Sequence, residues 1–452
     1  MPASPRRLSA CSATLLSWSL MLASGSALAA DPVGAQASPT AATDAKPAEA
    51  VPPDADKVTH PDILANTRSP GGELEVEEAT HSAFFRRASV MDPYFAWKRK
   101  IRQEHGFTFG GSYTALWQNY SSSRIGLYNA KGGKFTLNLS QDLMNRGAPN
   151  ALAFDVAIED RRPIFGSDLP PLQAGFAAGS LIPTAATFGQ FDMGVTQAYI
   201  RQNLNDNRFQ YTIGRIFAPN FIDAYPFFDD NRQFLSQAFS TSPSIASPLR
   251  GFGAVAAVFP TSGGLYIKPG VFGNNSQDTG TTYQDFFNKN EHFYMLEVGV
   301  SGLAGQAVPI QARGPSDANN IHLTAWYRDP TEAGNQPRSY GLAFNANQMV
   351  GEKIMWFARA GWSEGWAVDR AVSAGFGWRP TKKYSDLFGF GVGWTHPASS
   401  FLDSQYTAEA FYRFHVTPNF AITPDIQVQL HPALNPAENA LWVFSLRARL
   451  VF

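Results

Sequence analysis

From Phe107 onward the chain alternates apolar with polar or small positions, and the period of two recurs into the final segment. Phe107, Phe109, Gly111, Tyr113, Ala115 and Trp117 interleave with Thr108, Gly110, Ser112, Thr114, Leu116 and Gln118. Phe135, Leu137 and Leu139 interleave with Thr136, Asn138 and Ser140; Phe420, Ile422, Pro424, Ile426, Val428 and Leu430 interleave with Ala421, Thr423, Asp425, Gln427, Gln429 and His431. Successive side chains of a strand point to opposite faces, so each run predicts a strand with one apolar and one polar face. The last run sets Trp442, Phe444, Leu446, Ala448, Leu450 and Phe452 against Ser445, Arg447 and Arg449. An arginine on a lipid face costs about 2–4 kcal/mol at mid-membrane, so these arginines are expected to face water.

The pattern predicts strands near 107–118, 134–143, 151–159, 194–203, 208–216, 250–258, 264–272, 292–301, 320–327, 338–348, 354–363, 371–378, 387–394, 405–415, 420–430 and 440–452. Their connections alternate between long (119–133, 160–193, 217–249) and short (144–150, 204–207, 259–263). That alternation suits an all-β, transmembrane, antiparallel up-and-down barrel of about sixteen strands, with fourteen to eighteen compatible. The stretch 302–319 falls on the short side yet is long, which marks it as the place for a miscounted strand. Barrels of 16–18 strands enclose water rather than filling with side chains, so a channel is expected.

The remainder of the chain divides by composition. Residues 1–29 read as a secretory signal: Arg6 and Arg7, an apolar core from Leu15 to Ala23, then Ala27-Leu28-Ala29 with cleavage expected after Ala29. Leu8-Ser9-Ala10-Cys11 resembles a lipoprotein box but lacks a preceding apolar stretch, and the arginine pair reads as an ordinary basic n-region rather than a twin-arginine signal. Residues 30–92 read as an Ala/Pro-rich periplasmic linker, disordered over 30–56 and without a clear pattern beyond. A short helix is expected over 93–106, with Pro93 near its start and Gly106 as its stop. It carries Tyr94, Trp97 and Ile101 on one side and Lys98, Arg99, Lys100 and Arg102 on the other; a plug, a periplasmic cap and a surface helix all fit. The barrel is expected over 107–452.

Composition sharpens the picture in three places. The 36 Lys and Arg nearly balance 37 Asp and Glu, which argues against a nucleic-acid partner. Cys11 is the only cysteine and falls in the signal, so the mature chain is expected to carry no disulfide or thiolate metal site. The mean hydropathy of −0.20 is that of a soluble chain, but alternating faces in a barrel average out to such a value. No metal-ligand spacing among the eight histidines and no nucleotide motif suggests a cofactor. Gly361-Trp362-Ser363-Glu364-Gly365 fits the nucleophile-elbow pattern, but a helix should follow it and another alternating strand does.

Candidate functional residues fall into three sets. The long connection 217–249 sets Asp223, Asp229, Asp230, Asn231 and Arg232 among Tyr225, Phe227, Phe228, Phe234 and Phe239. Rings that stack on sugar faces beside charged hydrogen-bonding groups suit carbohydrate; equally, the rings would hold an inward-folded loop against the wall. By parity Asp155, Glu159, Arg359, Glu409, Arg413, Asp425, Arg447 and Arg449 point into the lumen, and Arg201 shares a face with Gln197 and Asn203. These charges would orient hydroxylated solutes or form a structural ion-pair network. Gly375, Gly377, Gly389, Gly391 and Gly393 line the inner face of two successive strands, where the loop, the N-terminal helix or simply a wider pore is expected.

Glu409-Ala410-Phe411-Tyr412-Arg413-Phe414, Thr417-Pro418-Asn419, Thr423-Pro424-Asp425-Ile426-Gln427 and Leu446-Arg447-Ala448-Arg449-Leu450 resemble blocks of the OprB family of carbohydrate-selective porins. Fainter echoes are Asn129 with Gly132-Gly133, Gly214-Arg215, and Asn231 to Ser240. The resemblance covers most of 107–452; the extension at 30–56 departs from it. It implies a sixteen-stranded Gram-negative outer-membrane barrel, not an enzyme, that admits glucose and related sugars through a constriction of arginine, acidic and aromatic residues. It also implies outer-membrane lipid and lipopolysaccharide as surroundings, and an assembly machinery that reads Phe452. Arg215 is the residue carried over to the constriction, with Asp229, Asp230 and Arg232 opposite. Strict parity with Ile213 turns Arg215 outward, so this role requires a bulge or the strand's end to re-aim it. A pore for acids or polyols, a barrel-embedded hydrolase and a structural envelope protein are the competing functions.

Overall fold

The computed structural model describes residues 60–78, 81–145, 150–274, 277–280, 283–289, 291–302, 319–331, 336–381 and 385–452. The expected signal segment and the 30–56 extension lie outside these residues.

Sixteen strands form one closed antiparallel sheet: β1 Phe107–Tyr120, β2 Asn129–Met144, β3 Leu152–Pro163, β4 Phe191–Leu204, β5 Phe209–Phe217, β6 Arg250–Val258, β7 Leu265–Gly273, β8 His292–Ser301, β9 Asn320–Arg328, β10 Ser339–Val350, β11 Ile354–Glu364, β12 Val368–Trp378, β13 Leu387–Pro397, β14 Gln405–Thr417, β15 Phe420–Leu430 and β16 Ala440–Val451. Each strand pairs with its sequence neighbours, and β1 closes on β16 through Tyr113 opposite Leu450 and Leu116 opposite Arg447. Closure removes every sheet edge, the condition for a sheet to cross lipid. Both strands flanking 302–319 are present, so no strand is miscounted there.

Alternation decides which way each side chain points. In β16 Trp442, Phe444, Leu446 and Leu450 are exposed outward, while Ser445, Arg447 and Arg449 are buried inward. The same outward exposure recurs at Tyr113, Trp117, Leu296, Leu323, Phe344, Trp362, Val392 and Tyr406, a continuous apolar belt with a polar interior beneath it.

Among the described residues five short helices accompany the strands: α1 Pro70–Glu78, α2 Asp92–His105, α3 Pro171–Ala178, α4 Gln237–Ser240 and α5 Tyr283–Asn288. The expected helix is α2, which begins with a proline in its first turn and stops at Gly106, whose φ of 66° lets its N–H reach the Arg102 carbonyl.

The linker reading of 30–92 fails for 60–78. This stretch enters at the short-turn end, where His60 N donates to the Asp206 carbonyl, and runs up the lumen to Asn66 and Arg68. It then returns through α1 and leaves beside β14, where Phe84 N donates to the His415 carbonyl. Two long-end connections also fold inward: 164–190 with α3, and 218–249 with α4, here called the second and third loops. They run side by side, joined by Ala186 N to the Leu235 carbonyl and Gln237 N to the Pro183 carbonyl, both 3.0 Å.

Candidate functional site

The third loop is held between two unlike walls. On one side, Tyr225, Phe227, Phe234 and Phe239 are buried with Phe357 of β11 and Phe411 of β14. Ring centroids lie 5.4 Å apart for Tyr225 and Phe357 and 4.9 Å for Phe234 and Phe411. The glycines of β12 and β13 make room: a Cβ at Gly391 would stand 2.8 Å from the Phe239 ring, and one at Gly377 would collide with Phe227. The loop, rather than α2, rests on that glycine wall. Its aromatic rings hold it there and are too deeply buried to stack on a solute.

Charged strand residues fasten the same loop. Glu409 accepts from Leu235 N at 2.6 Å and Ser236 N at 3.0 Å, at the start of α4. Arg359 pairs with Asp223, donates to the Phe239 and Thr241 carbonyls, and lies 4.2 Å over the Tyr225 ring. Asp223 also receives His322 Nε2 at 2.8 Å. Burial pushes the Asp223 carboxyl up, but Arg359 and His322 beside it hold it below the usual carboxylate range.

On the other side, β2, β3 and β6 present a row of cations. Lys134, Arg161 and Arg250 face inward, and Arg68 of the inserted segment joins them around a small cavity of about 20 Å³ with Glu73, Glu159, Thr187 and Asn231. Glu159 pairs with Arg161 and Arg250, each at 3.0 Å. Asp230 accepts from Thr187 N and Oγ1, both at 2.7 Å, and Thr187 in turn receives Lys134 Nζ at 3.0 Å and Arg161 on its carbonyl at 2.6 Å. Three guanidiniums lie over rings: Arg68 on Phe228 at 4.5 Å, Arg161 on Phe191 at 4.9 Å and Arg250 on Phe217 at 4.2 Å. Stacking fixes the plane of each guanidinium and so the direction of its free donors. Among the described residues Arg68 Nη2, Arg161 Nε and Arg250 Nε have no hydrogen-bond partner.

Toward the short-turn end, α1 is clamped by its carboxylates. Glu77 pairs with Arg232 and with Arg449 at 2.7 Å; Glu73 pairs with Arg449 at 2.8 Å and receives Asn138 Nδ2 at 2.8 Å. Arg232 pairs with Asp229 at 3.1 Å, and Arg413 donates to the Arg232 carbonyl at 3.4 Å. Burial raises the Glu77 carboxyl, but Arg449 and Arg232 bring it well below the ordinary range. Further down, Arg201 bridges Asp155 at 3.2 Å and Asp62 at 2.8 Å, tying the inserted segment to β3 and β4.

Arg215 is the expectation that fails. The β4–β5 pairing runs without a shift up to Ala198 opposite Arg215, and the β5–β6 pairing runs unshifted past it, so Arg215 stays on the outward face with Ile213. It donates to the Val195 carbonyl and to the Gln277 and Asp278 carbonyls, bracing loops outside the lumen. Asp229, Asp230 and Arg232 therefore do not meet it. Of the other residues singled out, Asp155, Glu159, Arg201, Arg359, Glu409 and Arg413 do face inward, chiefly as fasteners. Sequence reasoning missed Lys134, Arg161 and Arg250. Parity pointed to the first two, since Lys134 precedes Thr136 and Asn138 and Arg161 follows Asp155 and Glu159 at steps of two, but not to Arg250, which shares parity with Phe252 opposite Arg215. Arg68 and Glu73 carried no such signal. Ser363 is buried, donates to the Val368 carbonyl and precedes the tight connection 365–367 into β12, so the nucleophile-elbow context is absent.

The sequence model of the carbohydrate-selective porins, OprB family, matches residues 129–452. Porin AaxA of Chlamydia pneumoniae is 26% identical over 238 residues, 49% of this chain and 51% of that protein, so the chain spans about half the length of that curated relative. Among solved structures, the high-pH form of Pseudomonas putida OprB superposes with a TM-score of 0.63 at 15% identity, covering 79% of this chain and 97% of the other. Its low-pH form gives 0.50 at 15% identity, covering 82% and 100%. With nearly three quarters of its length matched and its barrel closing on sixteen strands, the chain belongs to the OprB family of carbohydrate-selective porins.

Proposed function

We propose that this outer-membrane porin lets small neutral carbohydrates, glucose among them, diffuse into the periplasm, and that it selects them where the second and third loops face β2, β3 and β6. The observation that carries this reading is the set of oriented, unpartnered donors on Arg68, Arg161 and Arg250 beside the narrow cavity. A sugar leaving water there regains hydrogen bonds from charged groups, each contributing about 1.5–3 kcal/mol before desolvation is subtracted. The four cations are interleaved with Glu73, Glu159, Asp229 and Asp230, of which Glu73 is shared with Arg449 and Asp229 with Arg232. Donors and acceptors of both signs side by side suit a neutral polyhydroxyl solute. The remaining selectivity candidates, Asp155, Arg201, Arg359, Glu409 and Arg413, act in this reading by holding the two loops and the inserted segment in place.

Liposome swelling with glucose, a sugar acid, a polyol and an amino acid of similar size tests the reading. Glucose is expected to enter fastest and to block single-channel current saturably; rates that follow solute size alone overturn it. A second reading rests on the free donors being guanidinium nitrogens throughout, which favours anionic solutes. It predicts a reversal potential shifted toward the anion in a salt gradient and competition by gluconate. Export through residues 1–29 with cleavage after Ala29 is part of the same proposal, and N-terminal sequencing of the mature protein reads it directly.

A further inference from the structure

Between the inserted segment and β1 the chain forms a collar, residues 84–106, in which several large apolar side chains stay more than half exposed. Helix α2 buries none of its fourteen residues. Phe84, Phe85, Val90 and Trp97 are 56%, 58%, 81% and 52% exposed. A concentration of large apolar side chains at one place on a surface marks an interaction site.

Two ring contacts show where the collar sits. Phe84 lies 6.0 Å from Phe414, and Trp97 meets Phe109 edge-on at 5.5 Å. By strand alternation Phe109 shares the outward face of β1 with Tyr113 and Trp117, and Phe414 shares that of β14 with Tyr406, Ala408 and Ala410. The collar therefore continues the lipid-facing belt at the short-turn rim. The start of β1, the end of β16 and the short turns lie at that rim, the arrangement of the periplasmic side of such barrels.

The charge of the collar identifies what covers it. Residues 84–106 carry Arg86, Arg87, Lys98, Arg99, Lys100 and Arg102 against only Asp92 and Glu104. Aromatic residues beside a cationic run, on a helix too short and too polar to span, are the features of a helix lying in a membrane interface. We propose that the collar docks into the periplasmic leaflet of the outer membrane, with Phe84, Phe85, Val90 and Trp97 at the acyl boundary and the exposed basic side chains of Arg86, Arg99 and Lys100 on anionic phospholipid phosphates. The collar then anchors the point where the inserted segment leaves the lumen.

The test uses the full-length protein with Cys11→Ser, spin-labelled at Val90→Cys and reconstituted in bilayers of phosphatidylethanolamine with phosphatidylglycerol. Phe344→Cys on the lipid belt and Ser399→Cys on an exposed long-end loop serve as references. The Val90 label is expected to match the Phe344 label in access to oxygen and in protection from an aqueous nickel chelate. Replacing phosphatidylglycerol by phosphatidylcholine, or combining Arg99→Glu with Lys100→Glu, is expected to raise nickel access several-fold. Nickel access equal to that at Ser399 overturns the proposal. So does protection from both reagents, which means that a second copy or another part of this chain covers the collar. Unchanged access after both the lipid exchange and the charge reversal overturns the role of anionic phosphate.

Discussion

Where the third loop meets β11 to β14 the contact is ring on ring and ring on glycine; where it looks toward β2, β3 and β6 it is carboxylate, hydroxyl and guanidinium. One inner wall is built like the core of a soluble protein, the other like a binding surface. On the apolar wall Arg359 is committed to the loop through Asp223 and the Phe239 and Thr241 carbonyls, whereas the cations of the other wall gather around a cavity. The difference teaches that a single inward loop can be anchored on one flank so that its other flank stays at a fixed distance from the charged wall. Anchoring and selection are thereby assigned to different halves of the barrel.

The largest effect is expected from breaking the apolar flank. Gly391→Val places branched carbon where even a Cβ lies 2.8 Å from Phe239, far inside the roughly 3.5–4 Å of normal contact. Phe239 has Phe234 and Phe357 behind it and cannot retreat, so the loop should leave the wall. Single-channel conductance should rise several-fold and glucose block should disappear. A variant that assembles with wild-type conductance shows that the loop does not narrow the pore.

Next comes the ionic root of the same flank. Arg359→Met leaves Asp223 buried with His322 as its remaining close side-chain partner. Removing one member of a buried pair costs about 3–5 kcal/mol, so the temperature at which the barrel changes its gel mobility should fall markedly. An unchanged transition would mean that aromatic packing alone carries the anchor.

This contrast also explains what was legible beforehand. Strand positions were readable because lipid and water impose opposite polarity on successive residues, as Trp442 to Arg449 show. The glycine wall was readable as a feature because Gly375, Gly377, Gly389, Gly391 and Gly393 keep one parity, but which of the loop, the N-terminal helix or a wider pore it served was not. The inserted segment was not readable. Its composition gives no clear pattern, yet inside a polar lumen Arg68 and Glu73 are buried, and Asp62 and Glu77 half-buried, among hydrogen bonds and ion pairs. Arg215 was carried over from a family block against its own parity, and the parity proved the better guide. Arg161 lay two residues beyond the expected end of its strand, a boundary error rather than an error of pattern.

A more selective effect is expected on the charged wall. Arg161→Ala should weaken glucose block by about 1.5 kcal/mol, roughly tenfold in affinity, with little change in conductance. Arg161→Lys should rescue poorly, because the ammonium lacks the planar fork that spans Glu159 and the Thr187 carbonyl. Arg215→Ala, on the outer face, should leave glucose affinity unchanged. Equal losses at Arg161 and Arg215 would erase the distinction between the two faces.

The smallest effect concerns pH and the inserted segment, which α1 fastens to β2 and β16. Burial lowers the His81 imidazole to about 4 despite Glu77 nearby, with Arg413, Arg232 and Arg449 adding repulsion. His415 stacks on its ring at a centroid distance of 5.0 Å. An undocked His81 takes up its proton near the usual value of about 6.5, whereas the docked one resists until about 4. The undocked form therefore binds more protons in that window, and docking weakens as pH falls from about 6.5 to 4. Glu77 acts lower: its depressed carboxyl favours docking fully above the ordinary carboxylate value of about 4.3 and loses that contribution as pH falls further. Current noise from transient release of α1 should thus rise modestly between pH 6.5 and 4, and again below that. His81→Gln should remove the first rise, while Glu77→Gln should raise the noise at neutral pH and flatten the second. Noise that stays level in the wild type from pH 6.5 to 4 would mean that α1 remains clamped whatever the state of His81, leaving Glu73 and Arg449 to hold it alone.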